Sequence, residues 1–102
     1  INADDVASAI AAELNAEKLV LLTDVNGIYK NKELVSSVNV KEIDKLISDK
    51  VIQSGMIPKV KACANAVERG VKKSHIINGN IKHSVLLEIF TDKGIGTEIK
   101  KG

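Results

Sequence analysis

Apolar residues recur at helical spacing near the start of the chain. Val6, Ala7, Ile10, Ala11 and Leu14 fall on one stripe, the pattern of an amphipathic helix. Asn2, Asp4 and Asp5 precede it, where a capping amide and acids suit a helix start. The pattern then changes. Lys18-Leu19-Val20-Leu21-Leu22-Thr23 is an unbroken apolar run of strand length. It predicts a central parallel strand buried on both faces. Asp24–Tyr29 reads as a turn at its carboxyl end. Lys30–Glu33 reads as a charged hairpin tip, and Leu34–Val38 as a short edge strand. Asn39 caps a helix predicted over Val40–Lys50, with Ile43, Leu46 and Ile47 inward.

Val51–Gly55 connects to the most informative stretch. Pro58, the one proline of the chain, opens a helix that Ala62, Ala64, Ala66 and Val67 sustain. Gly70 stands where a helix C-terminus belongs. Lys73–Gly79 predicts a strand ending in a glycine turn. A short helix is expected from His83 or Ser84 to Phe90. Gly94-Ile95-Gly96 then leads into a last strand through Ile99. Strands alternating with helices predict an α/β fold whose largely parallel sheet is covered on both faces. No repeat, low-complexity tract or linker divides the chain, so 1–102 reads as one domain.

Composition narrows the function. Aromatic residues make up 2% of the chain, so the core must be built of Ile, Val, Leu and Ala. Fifteen basic residues face 13 acidic ones, for a net charge of +2. That balance, with almost nothing to stack on bases, argues against nucleic acid as a partner. No apolar run has the length of a membrane span, and no signal peptide is visible. The single cysteine, Cys63, excludes an internal disulfide and points to a reducing compartment, the cytoplasm. On its helix it reads as small core filler rather than a nucleophile. The chain opens at Ile1 directly on a helix-start pattern, and a preceding half is expected.

Two places carry candidate chemistry. Lys59 and Lys61 both fall in the first turn of the helix after Pro58, at the positive end of its dipole, where acids are normally favoured. Either they are solvated surface lysines, or they gather an anion such as phosphate on the free N–H groups. Thr23 and Asp24 stand at the carboxyl end of a strand, where open α/β sheets bind ligands. They could meet a sugar or a metal, or simply form a polar turn. No Gly-x-Gly-x-x-Gly follows a strand, which disfavours a dinucleotide-binding dehydrogenase.

Four stretches taken together are specific. Ile1-Asn2-Ala3-Asp4, Leu21–Ile28, Gly55–Val60, and His75–Gly79 with His83–Thr91 and Gly94–Thr97 resemble, in order and spacing, the N-acetylglutamate kinases of the amino acid kinase family. The last stretch is similar to the arginine-sensitive members. The resemblance implies a three-layer αβα sandwich, of which 1–102 is the C-terminal, ATP-binding half. It implies ATP-dependent phosphorylation of the side-chain carboxylate of N-acetyl-L-glutamate in arginine biosynthesis, with ATP and Mg²⁺. The substrate half would precede Ile1, with Asn2 adjacent to the substrate site.

Position by position, the resemblance makes Lys59 the second of two catalytic lysines, the other expected in the preceding half, and Asp4 the aspartate that orients the two. Thr23, Asp24, Val25, Gly27, Ile28 and Tyr29 match a nucleotide-binding turn, and Ile52 and Met56 the stretch flanking adenine. His75, Glu88 and Gly94 match an inhibitory L-arginine site. The residues alone read otherwise: Asp4 as a helix-start acid, Met56 as core filler, His75 as a strand histidine and Glu88 as an exposed helix residue. No residue is assigned as a metal ligand. A homodimer or hexamer is implied for the full-length protein, and the fragment alone is expected to be inactive. Two other functions stay open: a sister kinase for another acyl-amino acid, such as an aminoadipate derivative, and a non-catalytic module binding nucleotide or arginine.

Overall fold

One helix, Ile57–Glu68, exposes a single stripe of Pro58, Lys61, Asn65 and Glu68 and is covered on the rest of its surface. Val60, Ala62, Cys63, Ala64, Ala66 and Val67 are all buried in it. The computed structural model describes residues 3–80 and 96–102. In chain order they form helix α1 (Ala3–Glu13), strands β1 (Lys18–Thr23), β2 (Tyr29–Lys30), β3 (Glu33–Leu34) and β4 (Ser37–Asn39), and a 3₁₀ turn (Val40–Glu42). Helices α2 (Ile43–Ser48) and α3 (Ile57–Glu68) come next, then strands β5 (Lys73–Asn78) and β6 (Thr97–Lys100).

The four-stranded sheet has the order β1-β5-β6-β4. The β1–β5 and β4–β6 pairings are parallel, while β5 and β6 run antiparallel. The fold is thus mixed α/β, with a mostly parallel sheet flanked by helices, as the alternation of elements predicts. Helix α3 lies on the sheet and α1 lies against α3 and β1. Leu19, Leu21, Ile76 and Ile99 meet Val60, Cys63 and Ala66 in one core.

Two expectations need correction. The apolar stripe predicted on α1 is split: Val6, Ile10 and Leu14 are exposed, while Ala11 is buried and Ala7 packs against the core, joined there by Ser8 and Ala12. The reason is the partner. The Ser8 hydroxyl reaches the Ala62 carbonyl of α3 at 2.8 Å, and a contact this close admits only small side chains. Strand β1 is an end strand of the described sheet, not a central one, and Leu22 is 48% exposed. The doubly buried strand is β5, where Ser74 to Ile77 are all buried. An apolar run reports burial but not sheet order.

Smaller elements obey local chemistry. Asn31 and Lys32 both have positive φ (53° and 68°), the two-residue turn that matches the twist of a hairpin. They join β2 to β3, and the predicted edge strand breaks into β3 and β4. Asn39 does cap the 3₁₀ turn that begins at Val40. Its side chain accepts from Lys41 N–H (2.9 Å), and Glu42 accepts from Asn39 N–H (3.0 Å). The helix predicted over 40–50 is shorter, a 3₁₀ turn leading into α2. Among the described residues no helix is long and apolar enough to cross a membrane. The helix predicted from residue 83 or 84 to 90 lies outside the described residues, as do Asn2, Glu88 and Gly94.

Candidate functional site

Three contacts link α1 to α3 in the same order along both helices. Asp4 meets Lys59, Ser8 meets Ala62, and Glu13 meets Arg69. The helices therefore run in the same direction with their N-terminal ends side by side. Two positive dipole ends converge there. Among the described residues no side chain caps α3, and no acid stands in its first turn. Asp4 supplies the missing carboxylate from the neighbouring helix.

Lys59 Nζ lies 3.3 and 3.2 Å from the two Asp4 carboxylate oxygens. The side chains are 24% and 20% exposed, so the pair is shielded yet open to a ligand. Beneath it, one turn further along α3, Cys63 is fully buried. Burial pushes its thiol up to about 12, with the Asp4 charge adding to the effect against a Ser74 hydrogen bond and Lys59. A thiol held this firmly in its protonated form is no nucleophile, in keeping with the filler reading. Lys61 is exposed and takes no part in the pair.

An open cleft of about 380 Å³ lies at the carboxyl end of β1. Thr23, Asp24, Val25, Gly27, Ile28 and Tyr29 line one side, and Val51, Gln53, Gly55 and Met56 the other. Its wall is held in shape by polar contacts. Thr23 Oγ1 makes a long 3.5 Å contact to Asp24. Asn78 Nδ2 donates to Asn26 Oδ1 (3.1 Å), and Asn26 Nδ2 donates to the Tyr29 hydroxyl (3.2 Å). The ends of β1 and β5 are thereby tied to the turn.

Seven of the predicted nucleotide residues thus border one space. Ile52 does not: it is 2% exposed and belongs to the core, while its neighbours Val51 and Gln53 reach the cleft. Lys59 is outside the lining, one turn along α3 from Met56. Sequence reasoning missed Val51, Gln53 and Gly55, although they sit in the loop before Pro58. It also missed Asn26 and Asn78, whose only signal is an amide at each of two strand ends. His75 is buried on the sheet face opposite α3, directly across from Glu98 on β6. Among the described residues no cluster of three His, Cys, Asp or Glu could hold a metal ion.

Residues 1–78 match the amino acid kinase family model. The chain belongs to the amino acid kinase family. Among its relatives, the acetylglutamate kinase of Pelobacter propionicus is 60% identical over 102 residues, which are 99% of this chain and 35% of that protein. The chain therefore spans about a third of the length of the curated relatives it matches. Among amino acid kinase-like structures, N-acetylglutamate synthase from Neisseria gonorrhoeae with coenzyme A and N-acetyl-glutamate superposes with a TM-score of 0.88. It is 33% identical over all of this chain and 24% of its own. The same synthase with coenzyme A and L-arginine gives a TM-score of 0.85 at 34% identity, over 97% and 23% of the two chains. Carbamate kinase from Giardia lamblia bound to AMP-PNP gives 0.78 at 27% identity, over 100% and 36%.

Proposed function

We propose that this chain is the nucleotide half of a kinase that transfers a phosphoryl group from ATP to the side-chain carboxylate of N-acetyl-L-glutamate, in arginine biosynthesis. The observation that carries the reading is the Asp4–Lys59 pair where two helix N-termini meet, one turn from the cleft wall at Met56. A transferring phosphoryl group spreads charge over its oxygens, so its transfer needs positioning and electrostatics more than covalent chemistry. Lys59 offers an ammonium for that charge. Asp4 holds it through two contacts, so the charge is in position before the reaction begins. The acceptor carboxylate is already ionised near neutral pH and needs no general base.

In this reading the nucleotide occupies the cleft. Val51 and Met56 offer an apolar wall to a base, while Thr23 and Asp24 offer polar groups to ribose or phosphates. Mg²⁺ commonly takes one or two carboxylates together with substrate phosphates, and Asp24 is the carboxylate of the cleft lining that fits this role. The Giardia carbamate kinase, similar over this whole chain, was crystallised with an ATP analogue, which supports nucleotide binding. The acceptor would be bound by polypeptide beyond these residues, with Asn2 next to it, in a cytoplasmic homodimer or hexamer. L-Arginine as an inhibitor, at His75, Glu88 and Gly94, draws support from the Neisseria synthase structure with L-arginine. That likeness also favours a second reading, a non-catalytic module that binds nucleotide or arginine.

The test is acceptor-dependent ADP release by the complete polypeptide. N-acetyl-L-glutamate should drive it, and an N-acyl-aminoadipate should not. Residues 1–102 alone should release none. Turnover with the aminoadipate derivative alone would reassign the acceptor, and nucleotide binding without any turnover would favour the module.

A further inference from the structure

Thr97, the first residue of β6, is fully buried, and its hydroxyl is used twice. Oγ1 accepts from Ile28 N–H at 2.9 Å and donates to the Val35 carbonyl at 2.7 Å. Val35 N–H in turn donates to the Ile28 carbonyl at 2.7 Å. Ile28 and Val35 are the residues just outside the β2–β3 hairpin, the next opposed pair after Tyr29 and Leu34. In an ordinary ladder such a pair exchanges two bonds directly. Here one is direct and the other passes through the threonine hydroxyl. Gly27 makes room for it: a Cβ there would lie 2.6 Å from Thr97 Oγ1.

We propose that Thr97 is a positioning residue for the cleft, one that fixes the 24–28 turn from a strand that does not border the ligand. The inference rests on the reading that the cleft takes nucleotide. Its mounting is rigid, because β6 is paired on both sides, to β5 and β4. Its load is specific, because the Ile28 N–H it holds belongs to the cleft wall. Without the hydroxyl, Ile28 N–H and the Val35 carbonyl lose their partner. They can meet only if the base of the hairpin moves, and the turn moves with it. Either outcome alters the wall that Thr23, Asp24 and Gly27 form.

The experiment uses the complete polypeptide with Thr97→Val, which keeps the shape and removes the hydroxyl, and Thr97→Ser, which keeps the hydroxyl. Thr97→Val should raise the ATP Kd by titration calorimetry, and the KM for ATP, by about tenfold, the scale of one lost hydrogen bond. The acceptor KM should stay put, and Thr97→Ser should bind ATP like the wild type. If Thr97→Val does not fold, Thr97→Ala removes the hydroxyl without crowding. Hydrogen exchange of the Ile28 amide in the wild type adds a measurement independent of any variant: it should be slow. Valine and alanine variants with wild-type ATP affinity, equal losses for ATP and acceptor, or a fast Ile28 amide would overturn the inference alone. A wild type with no affinity for ATP would overturn the nucleotide reading and this inference together.

Discussion

The Ser8 hydroxyl donates to the main-chain carbonyl of Ala62 at 2.8 Å, across 54 residues of sequence, with Ser8 fully buried. Ser8 lies one turn from Asp4, and Ala62 one turn from Lys59. The bond therefore fixes how α1 and α3 are rotated and slid against each other, and with that the geometry of the ion pair. Ser8→Ala should cost about 1 kcal/mol in urea unfolding, the net worth of one hydrogen bond. Ser8→Val should cost about 1–3 kcal/mol by forcing bulk between closely packed helices, and should lower kcat more than the alanine change. A valine variant with wild-type stability and turnover would show that this contact does not set the pair.

Lys59→Ala should reduce kcat on the order of a hundred- to a thousandfold, the usual loss for one charge-stabilising donor. The KM for ATP should move far less, because the interaction strengthens as the phosphoryl group transfers. Asp4→Asn should fall in the same direction by a smaller factor, since the ammonium remains but loses its anchor. Steady-state kinetics with unchanged kcat would return Lys59 to a solvated helix lysine.

Alkaline pH gives a test of the interior below that pair. The Cys63 thiol goes from an ordinary 9.0 to about 12 in the fold. The folded state therefore keeps a proton that the unfolded chain gives up between those values. The stability this contributes is fully present below about 9 and is lost as pH rises toward 12. The complete loss is on the order of 4 kcal/mol. Urea midpoints measured at rising pH should fall for the wild type and fall less steeply for Cys63→Ala. Parallel slopes for the two proteins would remove Cys63 as the cause.

Arginine inhibition of the complete enzyme is the regulatory expectation, and Glu88→Gln should weaken it without changing ATP affinity. A guanidinium prefers a planar two-point carboxylate partner, and an effector acts only if it binds one global state better than another. His75 stands on the sheet face opposite α3, away from the turn at Asp24. An enzyme insensitive to millimolar arginine, or a Glu88→Gln variant inhibited as before, would remove this reading.

How far the chain discloses its own structure differs from residue to residue. The α3 helix, its Pro58 start and the misfit of Lys59 at a positive helix end are local facts, and they read directly from the sequence. That Asp4 answers Lys59 comes only from the resemblance, because nothing local relates residues so far apart. The face of α1 misleads for a physical reason. Periodicity reports where the large apolar side chains are, and a close helix pair buries the small ones. Thr97 shows the same limit at the cleft. A lone threonine after a glycine turn carries no mark that it completes a hairpin 62 residues away.

The interior position of β6 also sets an order of events in folding. Among the described residues strand β4 pairs only with β6, and β6 supplies the second edge of β5. Until residues 97–100 arrive, β5 offers Ile76 and Ile77 along an open strand edge, and such an edge is a template for pairing with other chains. The β5–β6 contact that closes it is fairly local, Ile76 with Thr97, but β4 must come from far earlier in the chain to pair Ser37 with Glu98, a long loop closure that slows folding. The chain thus carries its most completely buried strand with one edge unguarded until β6 docks. Chaperone dependence and losses to aggregation should concentrate in that interval.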